Sequence, residues 1–144
     1  MVRMYFSVVI SLVLFLITPV YYTEKELKSI QDEYMSIVNL YCNKNQYFHS
    51  NKIILKFSNL QEEHVGLCTT FISGYKIEID KQFWEKSNKD TQFQLLVHEM
   101  RHCMFKADHS ENENNYMYKT LNDLTKREVI NQAIIDLRVS CGKN

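Results

Sequence analysis

Residues 95–102 read Leu-Leu-Val-His-Glu-Met-Arg-His, which places two histidines four positions apart with a glutamate directly after the first. The apolar residues before the motif predict a buried helix, and positions i and i+4 of a helix lie on the same face. The imidazoles of His98 and His102 can therefore reach one metal ion. Glu99 would lie beside that ion, where it can act as a general base on a water molecule. The motif indicates metal-assisted hydrolysis.

A catalytic zinc ion needs a third protein ligand and leaves one position open for water. His109 follows His102 by seven residues. A continuing helix would carry it about 10 Å further along the axis, too far to share the ion. We therefore expect the chain to leave the helix near residues 106–108 and fold back, which makes Asp108 or His109 the third ligand. Because this segment contains no glycine, a non-glycine residue must adopt a positive φ, at a cost of about 1–2 kcal/mol.

The segment resembles the metzincin zinc peptidases, whose pattern is His-Glu-x-x-His-x-x-Gly-x-x-His (or Asp) followed by a Met-turn. Counted strictly, Asp108 is the third ligand, as in the snapalysin branch. Counted with one extra residue, Lys106 takes the glycine position and His109 is the ligand, which resembles a group of small exported peptidases. We favour His109, because neutral imidazole is the commonest metal ligand. Asp108 would then be a cap or a hydrogen-bond partner of a ligand histidine.

The resemblance extends to both sides of the motif. Residues 114–118, Asn-Asn-Tyr-Met-Tyr, are similar to the Met-turn, which implies that Met117 lies below the metal site as an apolar floor. Tyr116 or Tyr118 would either reach the metal and the oxyanion or pack in the core. Upstream, the run 65–72 would supply the edge strand that pairs with extended substrate in this family.

The N-terminus has the layout of an export signal. Arg3 precedes an apolar run over residues 5–17, and charged residues follow soon after, as is typical of secretory leaders. We predict that residues 1–22 are a signal peptide. Since no small-residue cleavage site ends the run, the alternative is an uncleaved membrane anchor formed by residues 5–22. Residues 23–144 would then form a secreted or otherwise extracytoplasmic metallopeptidase-like domain.

Four cysteines follow this leader, an even number that suits two disulfides in an exported domain. The number alone allows three pairings. The resemblance to the small exported peptidases implies Cys68–Cys103 and Cys42–Cys141.

Hydrophobic periodicity predicts one α+β domain, and the resemblance implies a minimal metzincin-like zincin domain with a small mixed sheet. The predicted helices are an N-terminal helix over 24–42, a motif helix capped by Asp90 or Thr91, and a C-terminal helix over 125–139, whose inward-facing residues include Ile135. The predicted strands cover 52–57, 65–72 and 75–80. A Ser73-Gly74 turn would join the last two strands as a hairpin.

Composition argues against several other classes of protein. The chain has 17 Lys and Arg and 17 Asp and Glu, so its formal net charge is zero. Without a basic excess to hold a phosphate backbone, nucleic acid is not an expected partner. The hydrophobic fraction of 45%, with one proline and three glycines, excludes a disordered or low-complexity chain.

These features predict an exported zinc endopeptidase that acts on peptides or proteins. His98, His102 and His109 would bind Zn²⁺, and Glu99 would be the catalytic base. One alternative is a thermolysin-like peptidase, in which Glu128 on the last predicted helix is the third ligand. The other is a disulfide-stapled extracytoplasmic binding domain with a vestigial or structural metal site, which the absent turn glycine favours.

Overall fold

The computed structural model describes residues 20–47, 52–61 and 63–142, which form a mixed α+β domain. The predicted fold class is confirmed. The four strands are β1 (Val20–Thr23), β2 (Lys52–Ser58), β3 (Gly66–Phe71) and β4 (Gly74–Asp80). The four α-helices are α1 (Lys25–Tyr41), α2 (Lys81–Lys86), α3 (Lys89–Phe105) and α4 (Lys126–Cys141). A short 3₁₀ helix, Lys44–Gln46, follows α1.

The four strands form one sheet in the order β1-β2-β4-β3. β1, β2 and β4 run parallel, whereas β3 pairs with β4 in the antiparallel sense and forms an edge of the sheet. The predicted hairpin is present, but its two turn residues are Ile72 and Ser73, because Phe71 pairs with Gly74. The turn therefore lies one residue earlier in the chain than predicted, and Gly74 is the first residue of β4.

β1 uses residues that the sequence assigned to the leader. Val20 to Thr23 pair in register with Lys52 to Leu55 of β2, so Val20, Tyr21 and Tyr22 belong to the sheet. The apolar run 5–17 lies outside the described residues. Among the helices that the structure describes, none is long and apolar enough to cross a membrane. A shortened protein must keep Val20 if it is to keep β1.

α1 and α4 each bury one apolar face, as their periodicity predicted. Leu27, Tyr34 and Val38 of α1 are buried, as are Val129, Ala133, Leu137 and Cys141 of α4. Ile135 is 60% exposed, so its predicted inward orientation was wrong. It lies two positions after the buried Ala133 and two before Leu137, and a helix turns such a position about 200° away from each of them.

α3 is the central helix of the domain. It packs against β3 and β4 on one side and against α1 and α4 on the other, and every residue from Gln92 to Met104 except His102 is buried. Its N-cap is Asn88, whose side chain accepts a hydrogen bond from the backbone N–H of Thr91. The predicted caps, Asp90 and Thr91, were wrong because both lie inside the first turn.

Both disulfides implied by the resemblance are confirmed. Cys42–Cys141 joins the C-terminal ends of α1 and α4, which are 99 residues apart in sequence. Cys68–Cys103 joins the edge strand β3 to α3. The second disulfide lies next to the predicted site, since Cys103 directly follows His102.

Candidate metal centre

Three histidines meet at the surface of α3. The Nε2 atoms of His98 and His102 are 2.9 Å apart, as expected for side chains one turn apart on the same helix face. The Nε2 atom of His109 lies 3.2 Å from that of His102. Among the residues that the structure describes, these histidines are the one group of three or more potential ligands close enough to hold a metal ion.

The chain brings His109 to this point by leaving the helix at Lys106. Lys106 caps α3 with φ 52° and ψ 34°, in the left-handed region, and its N–H donates to the carbonyl of His102. The sequence predicted a turn in this segment. When the metzincin pattern is counted with one extra residue, Lys106 stands at its glycine position. The missing glycine is therefore no obstacle to the fold, because a lysine adopts the required conformation.

Hydrogen bonds to backbone carbonyls orient two of the three rings. Nδ1 of His98 donates to the Tyr116 carbonyl at 2.9 Å, and Nδ1 of His102 donates to the Ala107 carbonyl at 2.6 Å. Since a carbonyl can only accept, each Nδ1 must carry a proton, and in the neutral form of either ring Nε2 then presents a lone pair. Asp108 was proposed as a cap or as the hydrogen-bond partner of a ligand histidine, but the partner of His102 is the Ala107 carbonyl. Asp108 is exposed and does not belong to the three-histidine group.

The donor set fits a zinc ion. Tetrahedral coordination with Zn–N bonds of about 2.0–2.1 Å places ligand nitrogens about 3.3 Å apart, close to the separations observed between the ring nitrogens. Two Nε2 lone pairs 2.9 Å apart repel each other unless a cation or a proton lies between them. The arrangement of three imidazoles is therefore one that a metal ion stabilises.

Burial favours the neutral form of His98 and of His109 in the metal-free protein. Desolvation lowers the pKa of His98 to about 4, opposed by its hydrogen bond to Tyr116 and reinforced by the neighbouring histidines. Desolvation and His102 also lower the pKa of His109, while Asp108 raises it. Because metals bind the unprotonated imidazole, these shifts favour metal binding at neutral pH.

Glu99 is buried between α3 and the edge strand β3. A Cβ atom on Gly66 would lie 2.6 Å from Oε1 of Glu99 and 2.7 Å from its Cγ, so only glycine leaves room for the carboxylate there. Burial raises the pKa of Glu99 to about 7, and a hydrogen bond from the backbone of Cys68 opposes the rise. A cation bound by the adjacent histidines would lower this pKa again.

The loop after His109 folds back on itself and packs into the core. The N–H of Ser110 donates to the carbonyl of Met117, and Met117 is buried. Tyr116 is also fully buried, and burial raises the pKa of its phenol. Tyr116 therefore packs in the core, which was one of its two predicted roles. Tyr118 instead lines the cavity in front of the histidines.

That cavity has a volume of about 760 Å³ and opens along α3 and β3. The three histidines and Glu99 lie in its wall. Apolar side chains continue the wall toward the N-terminal end of α3; they are those of Val65, Phe83, Leu95 and Leu121. The site is therefore an open cleft that borders the edge strand, large enough to accept a segment of polypeptide.

Glu128 does not join this site. It lies at the N3 position of α4, where its Oε2 accepts hydrogen bonds from both the backbone N–H and the hydroxyl of Thr125. Thr125 in turn caps Glu128, and the pair forms a capping box. The alternative in which Glu128 is the third ligand was wrong, because this local signal fixes its side chain at the start of α4.

Sequence reasoning missed the roles of Gly66 and Gln132. An isolated glycine within a strand pattern is a known sign of close backbone approach, so Gly66 carried a usable signal. Gln132 lies on α4 and hydrogen-bonds to the backbone of the loop that ends at Tyr118, 14 residues earlier in the chain. No local pattern marks such a contact.

The fold and this donor set define the class to which the protein belongs, an α+β domain with a three-histidine site that could hold a metal ion. A scan against protein-family models agrees. The family described as "Putative phage metallopeptidase" matches residues 20–129, which include β1, the histidines and the start of α4. The chain belongs to this family, and the protein is therefore of the metallopeptidase type. No curated protein and no solved structure matches the chain.

The opposite pKa shifts of His98 and Glu99 predict opposing pH effects on the stability of the metal-free protein. His98 contributes stability that is present above about pH 6.5 and is lost as pH falls through about 4. Glu99 contributes stability that is present below about pH 4.5 and is lost as pH rises through about 7. Each contribution is about 3 kcal/mol at most.

Single variants should separate the two effects. In chelator-treated protein, Glu99→Gln should lose stability as pH is lowered from 7 to 4.5, whereas His98→Gln should gain it. Urea unfolding at these two pH values measures both changes. The same pH dependence in both variants would contradict the assigned shifts.

Proposed function

We propose that this protein is a zinc-dependent endopeptidase, with Zn²⁺ held by the Nε2 atoms of His98, His102 and His109. The observation that carries the proposal is the convergence of these atoms in a cleft that also contains a buried carboxylate. Membership of a metallopeptidase family supports the same conclusion. A zinc ion bound there supplies a Lewis acid that polarises the scissile carbonyl and favours deprotonation of water.

Glu99 is the general base of the proposed reaction. Its carboxylate lies in the wall of the cleft, one residue after His98. It takes the proton of the attacking water and delivers that proton to the leaving amine, so no covalent acyl-enzyme forms. The hydrogen bond from the Cys68 backbone and the tight fit against Gly66 hold the carboxylate in place.

The proposed substrate is an extended segment of peptide or protein. β3 is paired on one side by β4 and borders the cleft on the other. An extended peptide can add to such an edge through main-chain hydrogen bonds. The metzincin resemblance includes this strand. The chain has as many acidic as basic residues, so its charge does not favour nucleic acid as a competing partner.

We further propose that the protein acts outside the cytoplasm. The two disulfides are of the kind that forms in oxidising compartments, and the apolar run 5–17 has the layout of an export signal. Since β1 begins at Val20, cleavage at the predicted boundary after residue 22 would remove most of that strand. An uncleaved leader would serve as an N-terminal anchor.

Metal analysis distinguishes the two candidates for the third ligand. The oxidatively folded protein should retain about one zinc per chain after extensive dialysis, and His109→Ala should retain almost none, because two imidazoles hold the ion too weakly. Asp108→Ala and His64→Ala should keep the zinc, although His64 also lines the cleft. Loss of zinc from Asp108→Ala but not from His109→Ala would reverse the assignment.

Glu99→Gln should keep the zinc and lose about 10²–10⁴-fold in kcat for peptide hydrolysis, since only the general base is removed. Glu63→Gln is the matched control, because Glu63 lines the same cleft and the substitution is identical. Full activity in zinc-loaded Glu99→Gln would exclude the proposed mechanism.

Gly66→Ala should reduce hydrolysis on the order of 100-fold, because the added methyl group displaces the Glu99 carboxylate. Zinc content should not change, as the three atoms nearest to the added methyl group all belong to Glu99. Thr69→Ala is the control, since it changes an exposed position of the same strand. A peptide-cleavage assay with parallel zinc analysis measures both properties, and equal activity of the two variants would contradict this role of Gly66.

A further inference from the structure

A chain of hydrogen bonds runs from α4 to the buried histidine. The side-chain amide of Gln132 makes two contacts with the Met-turn loop: its Oε1 accepts from the N–H of Tyr116 at 2.8 Å, and its Nε2 donates to the carbonyl of Asn114 at 2.9 Å. The carbonyl of Tyr116 then accepts from Nδ1 of His98. Gln132 thus fixes the backbone on both sides of Asn115, next to the carbonyl that orients the ring.

A second pair of amides holds the same loop from α3. Nε2 of the fully buried Gln94 donates to Oδ1 of Asn122 at 2.6 Å. Nδ2 of Asn122 donates to the carbonyls of Glu113 and Asn115 at 2.6 and 3.4 Å. Residues 113–116 are therefore attached to α3 and α4 by side-chain amides, with little help from apolar packing before Tyr116, since residues 111–114 are exposed.

We propose that Gln132 is a positioning residue that sets the tautomer of His98 through the backbone of Tyr116. The expected effect on metal binding rests on the proposed function. The tautomer of His98 does not, because it can be observed in the metal-free protein. Nδ1 keeps its proton because the Tyr116 carbonyl faces it, and this leaves the Nε2 lone pair free for a metal. If the carbonyl turned away, the ring could carry its proton on Nε2, and that proton would have to leave before a metal could bind.

The chain offers a matched control for Gln132. Gln46 also uses its amide to bond one backbone N–H, that of Asn43, and one backbone carbonyl, that of Cys141. Both of these groups lie near the distal disulfide and outside the cleft. Gln132→Met and Gln46→Met therefore remove the same kinds of hydrogen bond with the same change of side chain, one at the metal centre and one away from it.

The first measurement uses the full chain without metal. ¹H–¹⁵N correlation spectra of the imidazole rings should show His98 protonated on Nδ1 in the unmodified protein and in Gln46→Met. In Gln132→Met they should show a mixture of tautomers. Gln132→Glu, which keeps an acceptor for the Tyr116 N–H, should retain the Nδ1 tautomer. If Gln132→Met keeps the pure Nδ1 tautomer, the proposal is wrong.

The second measurement is zinc affinity by competition with a chelator. Gln132→Met should bind zinc about 10–100-fold more weakly, the usual loss when the partner of a ligand histidine is disturbed, and Gln46→Met should bind it normally. Equal losses in both variants would show a general effect of stability and overturn the proposal. Absence of zinc binding by the unmodified protein would reject the proposed function, while the tautomer comparison would still decide the role of Gln132.

Discussion

The site depends on one constraint: three imidazole nitrogens must present lone pairs to the same point. Two of these nitrogens, those of His98 and His102, lie 2.9 Å apart on one helix face. The geometry of α3 alone therefore brings these two nitrogens together. The third requires the helix to stop within one turn of His102, which places Lys106 in the left-handed conformation. The backbone carbonyls of Ala107 and Tyr116 then fix the two helical rings. The turn after α3 and the loop near residue 116 are therefore parts of the site as much as the histidines are.

The position of Glu99, the proposed general base, depends on the sheet and not on the loops. Glu99 lies against β3, and the absence of a side chain at Gly66 allows that contact. The Cys68–Cys103 disulfide joins β3 to α3 within a few residues of both Glu99 and His102. The strand that would bind substrate and the helix that carries the proposed catalytic residues are thus covalently joined. Their spacing does not rely on the small hydrophobic core alone.

Sequence predicted those features that local chemistry determines. The pairing of His98 with His102 follows from helix geometry, and the return of the chain near Lys106 follows from the distance that His109 must cover. The cap of α3 was misplaced because Asn88, Asp90 and Thr91 are all suitable cap residues within one turn. Glu128 was a plausible ligand by position, but its capping box with Thr125 competed successfully for the carboxylate. The contact of Gln132 with Tyr116 joins distant segments, and no periodicity in the chain encodes it.

The small size of the domain explains why fold and site share so many residues. A single helix, α3, contacts β3, β4, α1 and α4, so it forms the centre of the core and carries the proposed metal ligands at the same time. A buried polar face on such a helix is costly unless each polar group has a partner. Backbone carbonyls accept hydrogen bonds from His98 and His102, and the backbone of Cys68 hydrogen-bonds to Glu99. These partners leave Nε2 of His98 and Nε2 of His102 facing each other, a repulsive contact that a bound cation would convert into an attraction.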